Sequence, residues 1–582
     1  MLVLLPNKYY TAFLFDKKMG GYIIKGGNDF CGIIYLLRWL KMQNDLKMKN
    51  DLKIKKKNMF KIVNKSGFIL LLALSLVLAI LFVIAPITLN NTIENVGTIG
   101  AKDIAKVILL LAAGYLVDFI SVFTKNQLVQ EYHGRASDLL YTDVFKLKYD
   151  KYIEEGPTAI RELTYNAAEA YASFYFDLIP ALLVNVVTIV VTIIIAWNLN
   201  HIAAILMFII IPIHYFGFRA LNKKLGQLSV GLMKASTESN RNINSVVSQA
   251  DFIKQNAENE RLLPILSDNI LKSEGVRKKV NYVANGASGL LVGLNQIIQN
   301  LTIIFLAALA LNNQESFGGV VYVILVFPYF SNAIRGLTFT NLGLAEVRAA
   351  DEFLMTLINF EDHDGSQDMP EDLDKIYFDI KSVDVMGKNL LNDIKMKFNK
   401  GDIVGIMGES GTGKSTLVKL IAKFREAEGI YVNDIPIEDI KNSEYLKAVS
   451  YYSQNTPIIT DTIYNNLNFG RKPLARKIYE SMPFLSKFKN LDEMIIENGA
   501  NLSGGDKQRI ALSRYFTEDA KIVILDEPTS SLDKETETEI MTEVLKNVDD
   551  KIIFIISHNK DIMDYCSHVV EIKNKRVYVN ER

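Results

Sequence analysis

Leu502-Ser503-Gly504-Gly505-Asp506 stands between two other recognisable stretches, and that order sets the architecture of the second half of the chain. Upstream lies Gly408-Glu409-Ser410-Gly411-Thr412-Gly413-Lys414-Ser415, a full G-x-x-x-x-G-K-S phosphate loop. Downstream lies Ile522-Val523-Ile524-Leu525-Asp526-Glu527, an apolar strand that ends in two adjacent carboxylates. Many unrelated nucleotide-binding proteins carry such a loop alone; a Ser-Gly-Gly turn followed by a carboxylate-ended strand is shared far less widely. Ile403-Val404-Gly405-Ile406-Met407 reads as a buried strand feeding the loop, and Thr416-Leu417-Val418-Lys419-Leu420-Ile421 opens the helix behind it, which is the context the loop requires. Glycines let the backbone wrap phosphates and turn its N–H groups inward, and the helix N-terminus adds a favourable dipole.

At 582 residues the chain is too long for one core and reads as about two or three domains. Its formal net charge is zero, yet apolar residues are massed before about position 340 and charged residues after it. The split reads as a membrane half and a soluble half. Cys31 and Cys566 are the only cysteines, too few and too far apart for a disulfide framework or a cysteine-rich metal site. A reducing cytosol suits the soluble half, and no nucleic-acid partner is expected.

Six apolar runs, near 67–89, 103–124, 176–197, 200–219, 285–311 and 317–338, are long enough to span a bilayer, for which a helix needs about 20 mainly apolar residues. Lysines crowd the segment from Lys41 to Lys65, and basic residues recur after the second and fourth runs, as at Lys146, Lys148, Lys151, Lys223, Lys224 and Arg277-Lys278-Lys279. Because Lys and Arg accumulate on the cytoplasmic side, both termini are expected there, as is the soluble half of this multi-pass cell-membrane protein. The two long basic connections carry helical patterning, so the spans should continue into the cytosol as helix. Polar residues inside spans are expensive. Asp118, Asn295 and Gln299 either line a transport path or, with Gln296 and Asn300, hydrogen-bond between helices. Pro86, Pro180, Pro212 and Pro328 read as kinks that shape the bundle.

Taken together, the three stretches resemble the nucleotide-binding domain of ABC (ATP-binding cassette) transporters, and with the six runs they fit an ABC exporter of the six-span type over about residues 67–582. The expected fold is multidomain: a six-span all-α transmembrane bundle with long cytoplasmic helical extensions, then an α/β phosphate-loop ATPase. The expected boundaries are an N-terminal extension at 1–66, a transmembrane domain at 67–345, a linker at 346–374 and a nucleotide-binding domain at 375–582.

The resemblance implies ATP and Mg²⁺ as cofactors. ATP would be bound by Gly408, Glu409, Ser410, Gly411, Thr412, Gly413, Lys414, Ser415 and Thr416, with Lys414 bridging the β- and γ-phosphates. Mg²⁺ would be held by Ser415, Asp526 and Gln454. Glu527 would polarise the attacking water as general base, and Gln454 and His558 would complete the catalytic set by sensing the metal and the γ-phosphate. Pro528-Thr529-Ser530-Ser531-Leu532-Asp533 continues as the family's D-loop does. Ser503, Gly504, Gly505 and Asp506 would meet ATP held by an opposite subunit, so the chain is a half-transporter that works as a homodimer or a heterodimer. It would export a peptide, lipid or drug across membrane lipid.

There are departures as well. Asp506 stands where the family usually has Gln; it weakens closure on a triphosphate if it faces the nucleotide and does little if it turns toward Lys507 or Arg509. Val385 occupies the position at which exporters usually place an aromatic ring against adenine, and Tyr377 lies too early to substitute. Tyr152-Ile153-Glu154-Glu155-Gly156-Pro157-Thr158 resembles the turn and short helix by which the first intracellular loop docks on the ATPase, and Asn244 to Lys254 resembles the second such loop. Asn28 to Ile34 faintly resembles the nucleophile region of the peptidase domain found in some bacteriocin exporters. No His precedes His133, however, and residues 1–66 are too few for such a domain. A start at Met48 or Met59 explains that segment equally well. The alternatives to a self-sufficient exporter are thus a peptide exporter with a vestigial peptidase segment and a regulatory partner in a heterodimer.

Overall fold

The computed structural model describes residues 50–94, 101–199, 201–256, 262–311, 317–385, 387–454, 457–469, 473–496, 499–516, 520–530, 532–545 and 548–582. Cys31 and the apolar patches before position 49 therefore lie outside the described residues. The chain divides into two compact units: Met1–Phe145 with Gly156–Asn359, and Lys146–Glu155 with Phe360–Arg582.

The first unit is helical. In chain order its helices are α1 (Asn50–Lys61), α2 (Lys65–Glu94) and α3 (Ala101–Val144), after which α4 (Tyr149–Glu155) falls in the second unit. The chain returns as α5 (Pro157–Ser173), a π-helical turn at Phe174–Leu178 and α6 (Ile179–Leu199). Then follow α7 (His201–Val247), α8 (Ala250–Asn256), α9 (Leu262–Leu311) and α10 (Phe317–Asn359). Gly156, at φ 78, supplies a left-handed turn that few other residues adopt, and Pro157 opens α5 at a position where its missing N–H is not needed.

By length and composition, Ile104–Val144 and Pro157–Asn198 are each able to cross a membrane, and a third candidate is the Lys65–Leu81 segment taken with the Asp51–Lys61 segment, from which it is bent by 77°. The remaining apolar runs lie on α7, α9 and α10. The helices are much longer than the runs: α3 has 44 residues, α7 47 and α9 50, so each continues well past its apolar stretch. Ile108, Leu109, Tyr115, Leu116, Phe119 and Phe123 face outward from α3. An apolar face of that extent suits lipid rather than water. Some hydroxyls in the apolar helices bond back to their own helix, as Ser75 does to the Leu71 carbonyl at 2.7 Å and Thr192 to that of Thr188 at 2.7 Å, which satisfies those two groups without water.

Ala196, Ala203, Ala204, Met207, Ile210, Val326, Phe327 and Phe330 form a core among α6, α7 and α10, where the alanines let backbones approach closely. The lysine-rich N-terminal helix is part of this unit. Leu52 and Met59 of α1 are buried, and the Lys56 ammonium lies 2.6 Å from Asp351, which also accepts the Tyr171 hydroxyl at 2.5 Å. The expected linker over 346–374 is helix as far as Asn359, because Leu344, Val347, Ala350, Leu354 and Leu357 recur at helical spacing and are buried.

The second unit is built on a ten-stranded sheet in the order β5-β4-β1-β2-β10-β9-β3-β8-β7-β6. The strands are β1 (Lys375–Val385), β2 (Lys388–Asn399), β3 (Ile403–Gly408), β4 (Ile430–Val432), β5 (Ile435–Pro436), β6 (Val449–Tyr452), β7 (Ile522–Asp526), β8 (Ile552–Ile556), β9 (His568–Lys573) and β10 (Arg576–Glu581). The helices are α11 (Lys414–Ile421), α12 (Asn442–Ala448), α13 (Ile463–Leu467), α14 (Arg476–Glu480), α15 (Gly504–Phe516), α16 (Lys534–Leu545) and α17 (Lys560–Met563). Strands β9, β3, β8, β7 and β6 run parallel. Parallel strands are covered on both faces and so read as unbroken apolar runs. In β7, accordingly, Ile522 and Ile524 enter one core with Phe398, Phe378 and Leu417, while Val523 and Leu525 enter a second with Ile510, Leu512 and Ile540.

Candidate functional site

Because β6, β7, β8 and β3 are parallel and in register, their C-terminal ends open along one edge of the sheet. That edge is where an open parallel sheet collects its functional loops. The phosphate loop leaves β3, the segment with Gln454 follows β6, the Asp526-Glu527 pair ends β7 and His558 follows β8.

The loop's glycines are needed where they stand. Gly408, Gly411 and Gly413 have φ of 153°, 82° and 109°, and a Cβ on Gly408 would come within 2.9 Å of the Ile572 carbonyl. Lys414 reaches back over the loop, donating to the carbonyls of Gly408 at 2.7 Å and Glu409 at 3.0 Å. Thr412 Oγ1 donates to the Glu409 carbonyl at 2.8 Å, closing the turn that carries Ser410 and Gly411. Ser415 is exposed in the first turn of α11, and Thr416, beside it, is buried.

Glu527 is the meeting point of the site. Gln454 Nε2 donates to its Oε2 at 2.8 Å, and His558 Nε2 lies 3.5 Å from its Oε1. Its backbone sits at φ 51°, a strained conformation for a residue with a side chain, held by its own N–H on the Ile556 carbonyl at 3.0 Å. Asp526 is buried, and that burial together with the neighbouring Glu527 charge raises its pKa above the usual carboxylate range, while the Tyr451 hydroxyl bonds to it. Two adjacent carboxylates in unequal environments, Asp526 buried and Glu527 partly exposed, are suited to unequal roles.

The donors suit Mg²⁺. A hydroxyl at Ser415, a buried carboxylate at Asp526 and the amide of Gln454 are hard oxygen ligands, and crowded negative charge at Asp526 is what a cation relieves. Among the described residues no three His, Cys, Asp or Glu side chains converge into a cage. Mg²⁺ at phosphate sites does not require one, since it keeps waters and phosphate oxygens.

The short segment that resembles a docking loop lies in this second unit. Its helix is α4, Tyr149–Glu155, which overlaps the first part of the Tyr152–Thr158 stretch. Asp150 pairs with Arg425 at 2.8 Å, and Arg425 Nη1 also donates to Thr416 Oγ1 at 3.3 Å, next to the phosphate loop. The Tyr149 ring stacks on Phe424 with centroids 5.7 Å apart, and Phe424 meets Tyr451 edge-on at 5.4 Å. A run of contacts thus leads from α4 to the hydroxyl that holds Asp526. The other loop-like segment, at α8, belongs to the first unit and leaves Val247 and Phe252 exposed.

Ser503 caps α15. Its Oγ accepts from the Asp506 N–H at 3.2 Å, and the Asp506 carboxylate accepts from the Ser503 N–H at 3.2 Å and from its hydroxyl at 2.7 Å, a reciprocal capping box. The other Asp506 oxygen accepts from Lys487 at 2.8 Å. The cation seen bonding Asp506 is thus Lys487, while Arg509 is engaged with Thr536 at 3.0 Å and Asp533 at 3.6 Å. Asp533 in turn caps α16 through the Thr536 N–H and hydroxyl, both at 2.9 Å.

The low-specificity candidates divide. Asp118 is half-buried on α3; Gln299 is half-buried on α9, which also carries Asn295, while Gln296 bonds within its own helix to Asn300 at 3.2 Å rather than across helices. Val385 packs at the margin of the sheet core, and Tyr377 lies ring to ring with Tyr431 at 5.9 Å. The capping box was legible as S-x-x-D before a helix; Lys487 was not, since nothing local ties it to the motif.

Residues 391–530 match the protein family described as ABC transporter. Over 438 residues the chain is 26% identical to an ATP-dependent lipid A-core flippase 2 of Colwellia psychrerythraea, covering 72% of this chain and 74% of that protein. Over 298 residues it is 30% identical to a lactococcin-G-processing and transport ATP-binding protein of Lactococcus lactis subsp. lactis, covering 47% of this chain and 41% of that one. Among solved structures, a bacterial Atm1-family ABC exporter with ATP bound matches with a TM-score of 0.74 at 16% identity, covering 88% of this chain and 94% of its own.

Proposed function

We propose that this chain, an ABC exporter half in which a helical membrane domain is fused to one ATP-binding ATPase domain, pairs with a second half and drives an amphipathic lipid out of the cytoplasmic leaflet. The observation that carries the reading is the convergence of Gln454 and His558 on Glu527 beside the phosphate loop. In this mechanism the loop N–H groups and Lys414 bind and orient the triphosphate. Glu527 accepts a proton from the attacking water at its carboxylate, Gln454 fixes the orientation of that carboxylate, and His558 faces the γ-phosphate. Ser415, Asp526 and Gln454 would hold Mg²⁺, which would supply charge neutralisation when bound. Ser503, Gly504 and Gly505 face the ATP of the second half, with Asp506 behind them and Asp533 at the edge of the same cleft.

Six spans, at the runs given above, form the membrane domain, with the ATPase domain and both termini in the cytoplasm; the apolar outward face of α3 and the basic connections support this placement. The exposed Val247 and Phe252 of the second loop support a partner half that covers them. Lipid as the substrate class rests on the flippase relatives and on the scarcity of charge in the apolar helices. Asp118, Asn295 and Gln299 are the polar positions of that path. A peptide substrate is the second reading, favoured by the lactococcin relative.

The test is ATP-dependent movement of a fluorescent lipid between leaflets of vesicles containing the purified chain, with Lys414→Ala as the inactive control. Movement that requires ATP and is lost in the control supports the reading. ATPase stimulated by peptide and not by lipid, with no lipid movement, overturns the substrate class.

A further inference from the structure

We propose that Lys487 is a positioning residue of the Ser503–Asp506 segment: its ammonium cancels the carboxylate of Asp506 and so keeps that segment neutral toward a triphosphate. The inference rests on the reading that this segment meets the ATP of a second half.

The geometry is specific. Asp506 occupies the third position of α15, and both of its oxygens are in use: one by the Ser503 N–H and hydroxyl, the other by Lys487. The Asp506 side chain is 11% exposed and that of Lys487 57%. Both border one cleft of about 360 Å³ together with Ser503, Gly504, Gly505 and Arg509. Lys487 is delivered there by a short turn whose neighbours are anchored, since Phe484 and Leu485 are buried and Phe488 packs against the same core. Burial alone would raise the pKa of Asp506, yet the hydrogen bonds from Lys487 and Ser503 hold it below the usual range, so the carboxylate is charged at neutral pH.

That charge creates a difficulty which the lysine removes. A carboxylate beside a cleft that receives a highly anionic ligand repels it, and the repulsion is strong where water is excluded. Arg509 is engaged with Thr536 and Asp533, and Lys487 bonds Asp506 at 2.8 Å. A half-exposed ion pair adds little to folding stability, so the use of Lys487 is electrostatic rather than structural. The hydroxyl of Ser503 is likewise oriented by Asp506, and an Asp506 without its cation would hold that hydroxyl more tightly away from a phosphate.

The experiment is ATPase kinetics of the full chain in lipid vesicles for Lys487→Met, Lys487→Arg, Asp506→Gln, the double variant Lys487→Met/Asp506→Gln, and Ser503→Ala. Lys487→Met is expected to raise KM for ATP by about tenfold, in line with one uncompensated charge at a desolvated site. Lys487→Arg and the double variant should return KM to within about twofold of the unaltered chain, because in one the cation and in the other the neutrality is restored. Unchanged KM in Lys487→Met, or a loss that the double variant does not repair, overturns the inference, provided Ser503→Ala is impaired. If Ser503→Ala itself turns over ATP normally, the reading of this segment as ATP-facing fails, and the inference with it. Thermal unfolding midpoints of all five variants separate a folding defect from a change in nucleotide affinity.

Discussion

Replacing Glu527 by Gln removes one proton acceptor and almost nothing else, which makes its two consequences separable. The side chain keeps its length and its carbonyl oxygen, so Gln454 Nε2 retains an acceptor at the 2.8 Å position. What is lost structurally is the charge assistance of that bond and of the His558 contact, at 3.5 Å already long. The bond's change from charged to neutral is worth about 1 kcal/mol, part of it offset by relief of the repulsion that Glu527 exerts on Asp526. A positioned general base, by contrast, contributes about 10²- to 10⁴-fold, or about 3 to 5 kcal/mol of barrier. Turnover should therefore fall by at least about a hundredfold. The unfolding midpoint should move by only a few degrees, and KM for ATP should not rise. Phosphate release by the full chain in vesicles measures the first, differential scanning fluorimetry the second, and retention of labelled ATP after rapid desalting the third. Turnover within about tenfold of the unaltered chain would show that the base lies elsewhere. A loss of turnover matched by loss of bound ATP would show that Glu527 is a binding residue and not a base.

Two further outcomes follow from particular contacts. Asp526 has its pKa raised by burial and by Glu527, so the native state binds its proton more tightly than the unfolded chain does. The stability from this group is fully present below the ordinary value of 3.8 and is lost as pH rises through the raised native value. In metal- and nucleotide-free protein, Asp526→Asn should accordingly flatten the fall in ATPase-domain unfolding midpoint above that pH; parallel curves for the two proteins would contradict it. Gly429 sits at φ 94°, and a Cβ there would come within 2.2 Å of the Asp379 carbonyl oxygen, backbone that cannot move aside without breaking the Asp379 N–H bond to the Gly429 carbonyl at 2.7 Å. Gly429→Ala should destabilise the domain by about 3 kcal/mol, read as a shift in the urea midpoint with unchanged slope, and a shift under about 1 kcal/mol would refute the backbone argument.

The sequence was legible wherever structure depends on local spacing. The apolar run ending at Asp526 was legible as a buried strand because both of its faces are covered, and the glycines of the phosphate loop because only they accept the φ values found there. The long helices were legible in outline, since α3, α7 and α9 continue the apolar runs with helical patterning. Their ends were not: α10 runs to Asn359, into the expected 346–374 linker, because buried apolar residues keep the helical period that far. The Tyr152–Thr158 stretch did not include Tyr149, which is placed by stacking on Phe424, distant in sequence. Lys487 was invisible because its partner is 19 residues away and the contact is made only by the packing of Phe484 and Leu485.

The inclusion of Lys146–Glu155 in the second unit has a practical consequence for anyone who wishes to transplant or isolate the ATPase. The cassette is not one contiguous stretch of gene. A fragment beginning at Phe360 would lack the strand-like bridge between Leu147 and Glu361, strip the cover from Phe424, and leave Arg425 without Asp150. A chimaera that exchanges residues 360–582 between two such transporters should carry 146–155 along with them, or it will join an ATPase to a foreign handle.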